Sequence, residues 1–253
     1  MKNYYALGLW MLLSAFAPAI QQKKIKIFLA GDSTMAIKEK RTFPETGWGM
    51  PFIYFWDSSV TVINKAKNGR STSSFKKEGL WQSIIDEAGP GDYVLIQFGH
   101  NDEVPTKKTY TPQPEFKNNL VQFINETRNK GSIPVLITPV ARRKFDNKGK
   151  IMETHAVYAA IVRAVARQEH TPLIDLDQTS QQLYQQLGDA YSKLLFMHLA
   201  PGEHPNYPSG KTDDTHFTEL GARKIAELVL ADIRKQVPLL AARTVDTASK
   251  AGR

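Results

Sequence analysis

Apolar residues gather along the chain in five short clusters: Ile25 to Ala30 (IKIFLA), Val60 to Asn64 (VTVIN), Tyr93 to Phe98 (YVLIQF), Ile133 to Thr138 (IPVLIT) and Pro172 to Leu176 (PLIDL). Each has the length of a strand, and each reads as a nearly continuous apolar run, the pattern of strands covered on both faces. Between them lie stretches with helical spacing, Glu115 to Lys130, Ile151 to His170 and Thr218 to Val237. In the last of these Thr218 is the expected N-cap, Leu220, Ile225, Leu228, Val229 and Ile233 the buried stripe, and Pro238 the stop. Strand alternating with helix predicts parallel strands joined by right-handed crossovers, so the expected fold is α/β, a three-layer α/β/α sandwich around a five-stranded parallel sheet. With no internal repeat or linker, residues 20–240 are expected to form one domain and 241–253 a loose tail. Two long loops, Asn101 to Pro114 and Leu199 to Thr215, fall beside strand ends, where ligands bind to such sheets.

The N-terminus follows a different pattern. One positive charge, Lys2, precedes an apolar run from Ala6 to Ala17 that Gln21-Gln22-Lys23-Lys24 ends. A membrane-spanning helix needs about 20 apolar residues and this run falls short, so it predicts a secretory signal, residues 1–19, cut after Ala17-Pro18-Ala19, with an uncleaved anchor or a buried terminal helix as the alternative readings. The expectation is a chain that is secreted or periplasmic, with no stable membrane insertion after cleavage.

Composition narrows the chemistry. A length of 253 residues with 42% apolar and 23% charged positions supports one large core and excludes collagen-like, coiled-coil and disordered classes. The absence of cysteine excludes a thiol nucleophile, an iron–sulfur cluster, disulfides, cysteine-ligated zinc and a lipidated cysteine. A formal net charge of +8, one less without Lys2, suits an anionic partner. The charge is spread out and no nucleic-acid-binding motif accompanies it, so nucleic acid is not expected.

Four polar elements sit at predicted strand ends. Gly31-Asp32-Ser33-Thr34 puts Ser33 on the turn after the first strand, with backbone N–H groups pointing outward; read alone, it is also an ordinary capped turn. A serine needs a base and an orienting carboxylate, and Asp213-Asp214-Thr215-His216 offers Asp213 three residues before His216. That segment can also be read as a solvated capping turn or an Asp/His metal site. Gly69, after the second strand, can bring a backbone N–H to an oxyanion, and Asn101, after the third, can add its side-chain amide. Each has a bland reading as a turn residue, but four such elements converging on one sheet edge favour a site.

These elements resemble the blocks of the SGNH/GDSL hydrolases: Ser33 in GDST, Gly69 in NGRS, Asn101 in GHND, and Asp213 with His216 in DDTH, in that order. Gly47-Trp48-Gly49, the run Gln97 to Asp102, and Pro201 to Pro208 are similar to the rhamnogalacturonan acetylesterase branch. The first block reads GDST where many relatives have GDSL, at a position without a chemical role. The resemblance implies a flavodoxin-like SGNH fold. It also implies catalytic Ser33, Asp213 and His216, an oxyanion hole from Ser33, Gly69 and Asn101, and no metal or cofactor. The implied reaction is deacetylation of an acetylated pectic polysaccharide through an acetyl-enzyme. Trp48, Arg70, His204 and Asn206 are candidate substrate contacts, with Arg142, Arg143 and Lys211 as further members of a basic groove. Asp214 is expected beside the orienting carboxylate and His100 as a structural hydrogen-bonding partner. A lipase or thioesterase of the same superfamily and a non-catalytic sugar-binding relative are the alternatives. The oligomeric state is left open.

Overall fold

The computed structural model describes residues 23–245; the expected signal segment, residues 1–19, lies outside them. The elements follow in the order β1 (Ile25–Gly31), α1 (Gly49–Phe52), β2 (Val60–Asn64), α2 (Thr72–Lys77), α3 (Leu80–Glu87), β3 (Tyr93–Gln97), α4 (Gln113–Asn129) and β4 (Ile133–Ile137). Then come α5 (Ala156–Gln168), β5 (Leu173–Ile174), α6 (Leu176–Ser192), β6 (Phe196–Leu199), β7 (Lys211–Phe217), α7 (Glu219–Gln236) and α8 (Pro238–Ala241).

Strands β1 to β5 form one parallel sheet in the order β2-β1-β3-β4-β5. Because successive side chains point to opposite faces, the register sorts the core into two layers. Leu29, Leu95 and Val135 align on one face and pack against Phe52 of α1, Tyr184 of α6 and the buried side of α7. Ala30, Ile96 and Leu136 align on the other, under Phe75, Trp81, Phe123 and Val162 from α2 to α5. Both faces are covered, as the continuous apolar runs predict, and the architecture is the expected three-layer sandwich. With all five strands parallel, their C-terminal ends share one rim.

The departures from expectation have local causes. β5 is only two residues long, because Asp175 turns the chain and its side chain accepts a hydrogen bond from the Gln178 N–H to cap α6. The helix expected from Ile151 starts at Ala156; Ile151 is held in a bridge to Phe145 instead. On α7 Thr218 caps as expected, its hydroxyl accepting from the Gly221 N–H at 3.2 Å, but Leu220 is 48% exposed. Gly221 occupies the inward position there, so close to the chain that a Cβ would lie 1.9 Å from the Leu195 carbonyl oxygen. Residues 241–245, expected to open the loose tail, are tied to the domain: the Asp57 N–H donates to the Arg243 carbonyl and the Val245 N–H to the Phe55 carbonyl, both at 2.9 Å; residues 246–253 lie outside the described residues. The segment expected as a loop from Leu199 to Thr215 ends in a strand, since β6 and β7 form a separate antiparallel ribbon.

Candidate active site

The turn after β1 rests on a buried polar chain. Asp32 is fully buried, and its Oδ1 accepts from the Thr34 N–H at 2.9 Å and the Thr34 hydroxyl at 2.8 Å. Thr34 Oγ1 in turn accepts from Gln97 Nε2 at 2.7 Å, and Gln97 Oε1 accepts from Trp48 Nε1 at 2.8 Å. Burial pushes the Asp32 carboxyl above its ordinary range against the lowering influence of the Thr34 hydrogen bonds and of His216 and Lys38. Local capping fixes the turn, and the long-range bonds through Gln97 of β3 to Trp48, just before α1, fix its height. Ser33 is left half-buried on the rim.

The partner of Ser33 comes from the ribbon. Phe196 pairs with Phe217, whereas its neighbour Met197 pairs with Asp213, so residues 214–216 form a three-residue bulge in β7. The bulge folds the chain back on itself, and two residues three apart in a strand therefore meet on one side. Asp213 Oδ1 accepts from the backbone N–H groups of Thr215 (2.8 Å) and His216 (3.0 Å), and Oδ2 lies 2.9 Å from His216 Nδ1. A carboxylate can only accept, so Nδ1 carries the proton and Nε2 faces Ser33 Oγ, 2.9 Å away, as an acceptor. Burial opposes ionisation of Asp213, but the His216 hydrogen bond and charge and the two N–H donors outweigh it and hold the carboxyl far below the usual carboxylate range.

That shift has a sign. A carboxyl whose native pKa is depressed stabilises the fold above its unfolded-state value, and the contribution is lost as pH falls toward the native value. Replacing Asp213 with Asn is therefore expected to remove the part of the acid-induced loss of stability that sets in below about pH 4. Urea unfolding across a pH series checks this, and superimposable acid limbs for parent and variant would contradict it.

The expected oxyanion donors are the N–H groups of Ser33 and Gly69 and the Asn101 amide. Neither the Ser33 nor the Gly69 N–H has a backbone acceptor among the described residues. Gly69 has φ +77°, in the left-handed region, while a Cβ there would meet open space, so glycine is required by its backbone angle and not by crowding. The following residues are fixed by a capping box, Ser71 with Ser74, at the start of α2. Asn101 is 4% exposed; its Nδ2 donates to the Arg70 carbonyl at 3.0 Å and its Oδ1 accepts from Lys107 Nζ at 2.8 Å, leaving one amide hydrogen uncommitted. Next to it Asp102 accepts from the Thr72 N–H and hydroxyl and the Gly99 N–H, and burial still pushes its carboxyl up to about 7.

Two arginines brace the bulge. The Arg143 N–H donates to the Asp214 carbonyl at 2.9 Å, and its buried guanidinium reaches Asp214 Oδ1, the Asp189 carboxylate and carbonyl, and Ser192 Oγ. Arg142 Nη1 donates to Thr215 Oγ1 at 2.8 Å. Asp214 is also bound by His198 Nε2 at 2.7 Å, so the second aspartate of the motif faces away from His216. His100 is buried against the His155 ring, 4.3 Å between centroids; burial, reinforced by the charges of His155 and Arg142, keeps it neutral.

Several expected substrate contacts are corrected. Trp48 has no exposed surface and packs edge-on against Phe52, because Gly47 presses its backbone onto Ala36, where a Cβ would lie 2.0 Å from the carbonyl oxygen. It supports Gln97 and offers no face to a sugar. Arg70 is spent on Glu78, with Nε at 3.0 Å and Nη2 at 2.9 Å, and Arg143 is buried under the ribbon, so neither presents a free charge. Asn206 Nδ2 donates to the Lys40 and Phe43 carbonyls and clips two loops together. His204 lines a cavity of about 690 Å³ with Phe43, Thr46 and Tyr54; Ser33, Asp213 and His216 do not line it. Lys211 stays at the site, 3.6 Å from Asp213 Oδ2. Among the described residues no group of three or more His, Cys, Asp or Glu is placed to hold a metal ion.

The fold and this site define a class: an α/β/α sandwich presenting a serine, a histidine and an aspartate in the geometry of nucleophilic acyl transfer. The chain belongs to the GDSL-like lipase/acylhydrolase family, whose model matches residues 29–224. It is 42% identical over 216 residues to the rhamnogalacturonan acetylesterase RhgT of Bacillus subtilis, covering 85% of this chain and 92% of that one. It is 36% identical over 211 residues to the probable rhamnogalacturonan acetylesterase YesY of the same organism, covering 83% and 92%. The crystal structure of Bacillus subtilis YxiM superposes with a TM-score of 0.73 at 28% identity, covering 85% of this chain and spanning 57% of that one.

Proposed function

We propose that the chain is a serine esterase that removes acetyl groups from rhamnogalacturonan, a pectic polysaccharide. The reading is carried by the unbroken line from Asp213 through His216 to Ser33, 2.9 Å at each step. In this reading Ser33 Oγ attacks the acetyl carbonyl carbon while its proton passes to His216 Nε2. Asp213 fixes the tautomer and stabilises the imidazolium. The carbonyl oxygen, now an oxyanion, is held by the N–H groups of Ser33 and Gly69 and by the Asn101 amide. The intermediate collapses, the sugar oxygen leaves with the proton from His216, and an acetyl ester remains on Ser33. A water molecule, deprotonated by His216, then releases acetate and restores the serine.

The substrate rests on the 42% identity to RhgT and on the net charge of +8, which suits a polymer of galacturonate units. The apolar run near the N-terminus supports export to where such polymers lie, with removal of residues 1–19. Acetate release at equal acetyl concentration from acetylated rhamnogalacturonan, homogalacturonan and xylan tests the assignment. Rhamnogalacturonan is expected to be fastest; a faster rate on xylan would overturn the substrate and leave the chemistry standing.

A further inference from the structure

Around Ser33 most cations are neutralised. Lys38, almost fully buried, is paired with Glu45 at 2.7 Å; Arg70 is paired with Glu78; Lys211 lies near Asp213. Lys107 differs. Its ammonium contacts the uncharged Asn101 Oδ1 at 2.8 Å, and it forms no ion pair among the described residues. The loop that carries it is stitched in place: the Lys107 N–H donates to the Val104 carbonyl at 3.0 Å, the Tyr110 N–H to the Lys107 carbonyl at 3.0 Å, and the Thr111 N–H to the Asp102 carbonyl at 3.1 Å.

This arrangement acts on the amide in two ways. With a carbonyl accepting at Nδ2 and an ammonium donating at Oδ1, the Asn101 side chain has one orientation, because flipping it would face like against like at both ends. A cation on the amide oxygen also draws electron density from the nitrogen, so the remaining N–H becomes a stronger donor when negative charge develops in front of it. We infer that Lys107 is a positioning residue of the oxyanion hole, orienting and polarising the Asn101 amide so that it binds the tetrahedral oxyanion more tightly than the ground-state carbonyl. An interaction that strengthens only in the transition state raises kcat and leaves KM largely unchanged.

The inference rests on the acyl-transfer reading, which the Ser33→Ala variant tests separately. The experiment compares Lys107→Met, Lys107→Arg, Asn101→Ala and the Lys107→Met/Asn101→Ala double variant. Their substrates are p-nitrophenyl acetate, which has no carboxylate, and acetylated rhamnogalacturonan. Lys107→Met is expected to lower kcat roughly tenfold on both substrates with KM little altered, and Lys107→Arg to recover most of the loss. In the Asn101→Ala background the lysine change is expected to add nothing, since the amide through which it acts is gone. An effect confined to KM on the polymer would make Lys107 a carboxylate contact and overturn the inference. Equal effects of Lys107→Met with and without Asn101 would overturn it as well. Unchanged thermal melting of Lys107→Met, expected for an exposed side chain, separates loss of function from loss of fold.

Discussion

Ser33→Ala is expected to reduce acetate release by about 10⁴-fold or more while the protein melts at the parent temperature. The side chain is half-buried and its one described hydrogen bond is to His216, so its removal leaves the buried chain through Asp32, Thr34 and Gln97 intact. What remains afterwards is whatever the oxyanion donors and His216 can do with a water molecule. Initial rates on p-nitrophenyl acetate and on the polymer, measured with a melting curve on the same preparation, decide the matter. A variant retaining a tenth of parent activity would remove Ser33 from the role of nucleophile.

The second large effect concerns stability. Arg143→Met keeps the approximate length of the side chain and removes its charge. The guanidinium is 6% exposed and bonds Asp189, Asp214 and Ser192 at once, joining α6 to the catalytic bulge. Asp189 and Asp214 are about half exposed and can turn to water, which limits the penalty to the lost charge-assisted bonds, about 3 kcal/mol. For a chain of this size that is a fall in melting temperature of roughly 6–12 °C. Lysine should not restore it, because a single ammonium cannot reach three partners in a planar fork. Differential scanning calorimetry on parent, Met and Lys variants reads the outcome, and a shift within about 2 °C would show that the brace contributes little.

The layered architecture was readable because the strands carry their burial in their composition: IKIFLA and YVLIQF are apolar on both faces, and in the structure both faces are covered. The residues around Ser33 were readable because turn chemistry is local, with Asp32 capping the turn and Gly69 holding a left-handed angle. What could not be read was long-range. Nothing in the letters DDTH reveals a bulge, since the register that creates it depends on Phe196 and Met197, some twenty residues earlier. Trp48 could be read either as a sugar platform or as a packed residue, because an aromatic ring beside two glycines has no local sign of burial; only Gln97, far along the chain, shows where its indole points. Arg142 and Arg143 suggested a basic groove by charge alone, while their carboxylate and hydroxyl partners lie 39 to 73 positions away. Lys107 has no motif, and its relation to Asn101 exists only once the loop closes.

The β6–β7 ribbon shares no strand pairing with the main sheet, so proton acceptor and nucleophile are carried by strands of two different sheets. Their alignment is consequently a matter of docking, held by the Thr46 contact to Phe217 and by the two arginines. Phe196 and Phe217 of the ribbon are buried in the same core as Leu29 and Leu95 of the sheet, so catalytic alignment is inherited from packing well away from any substrate.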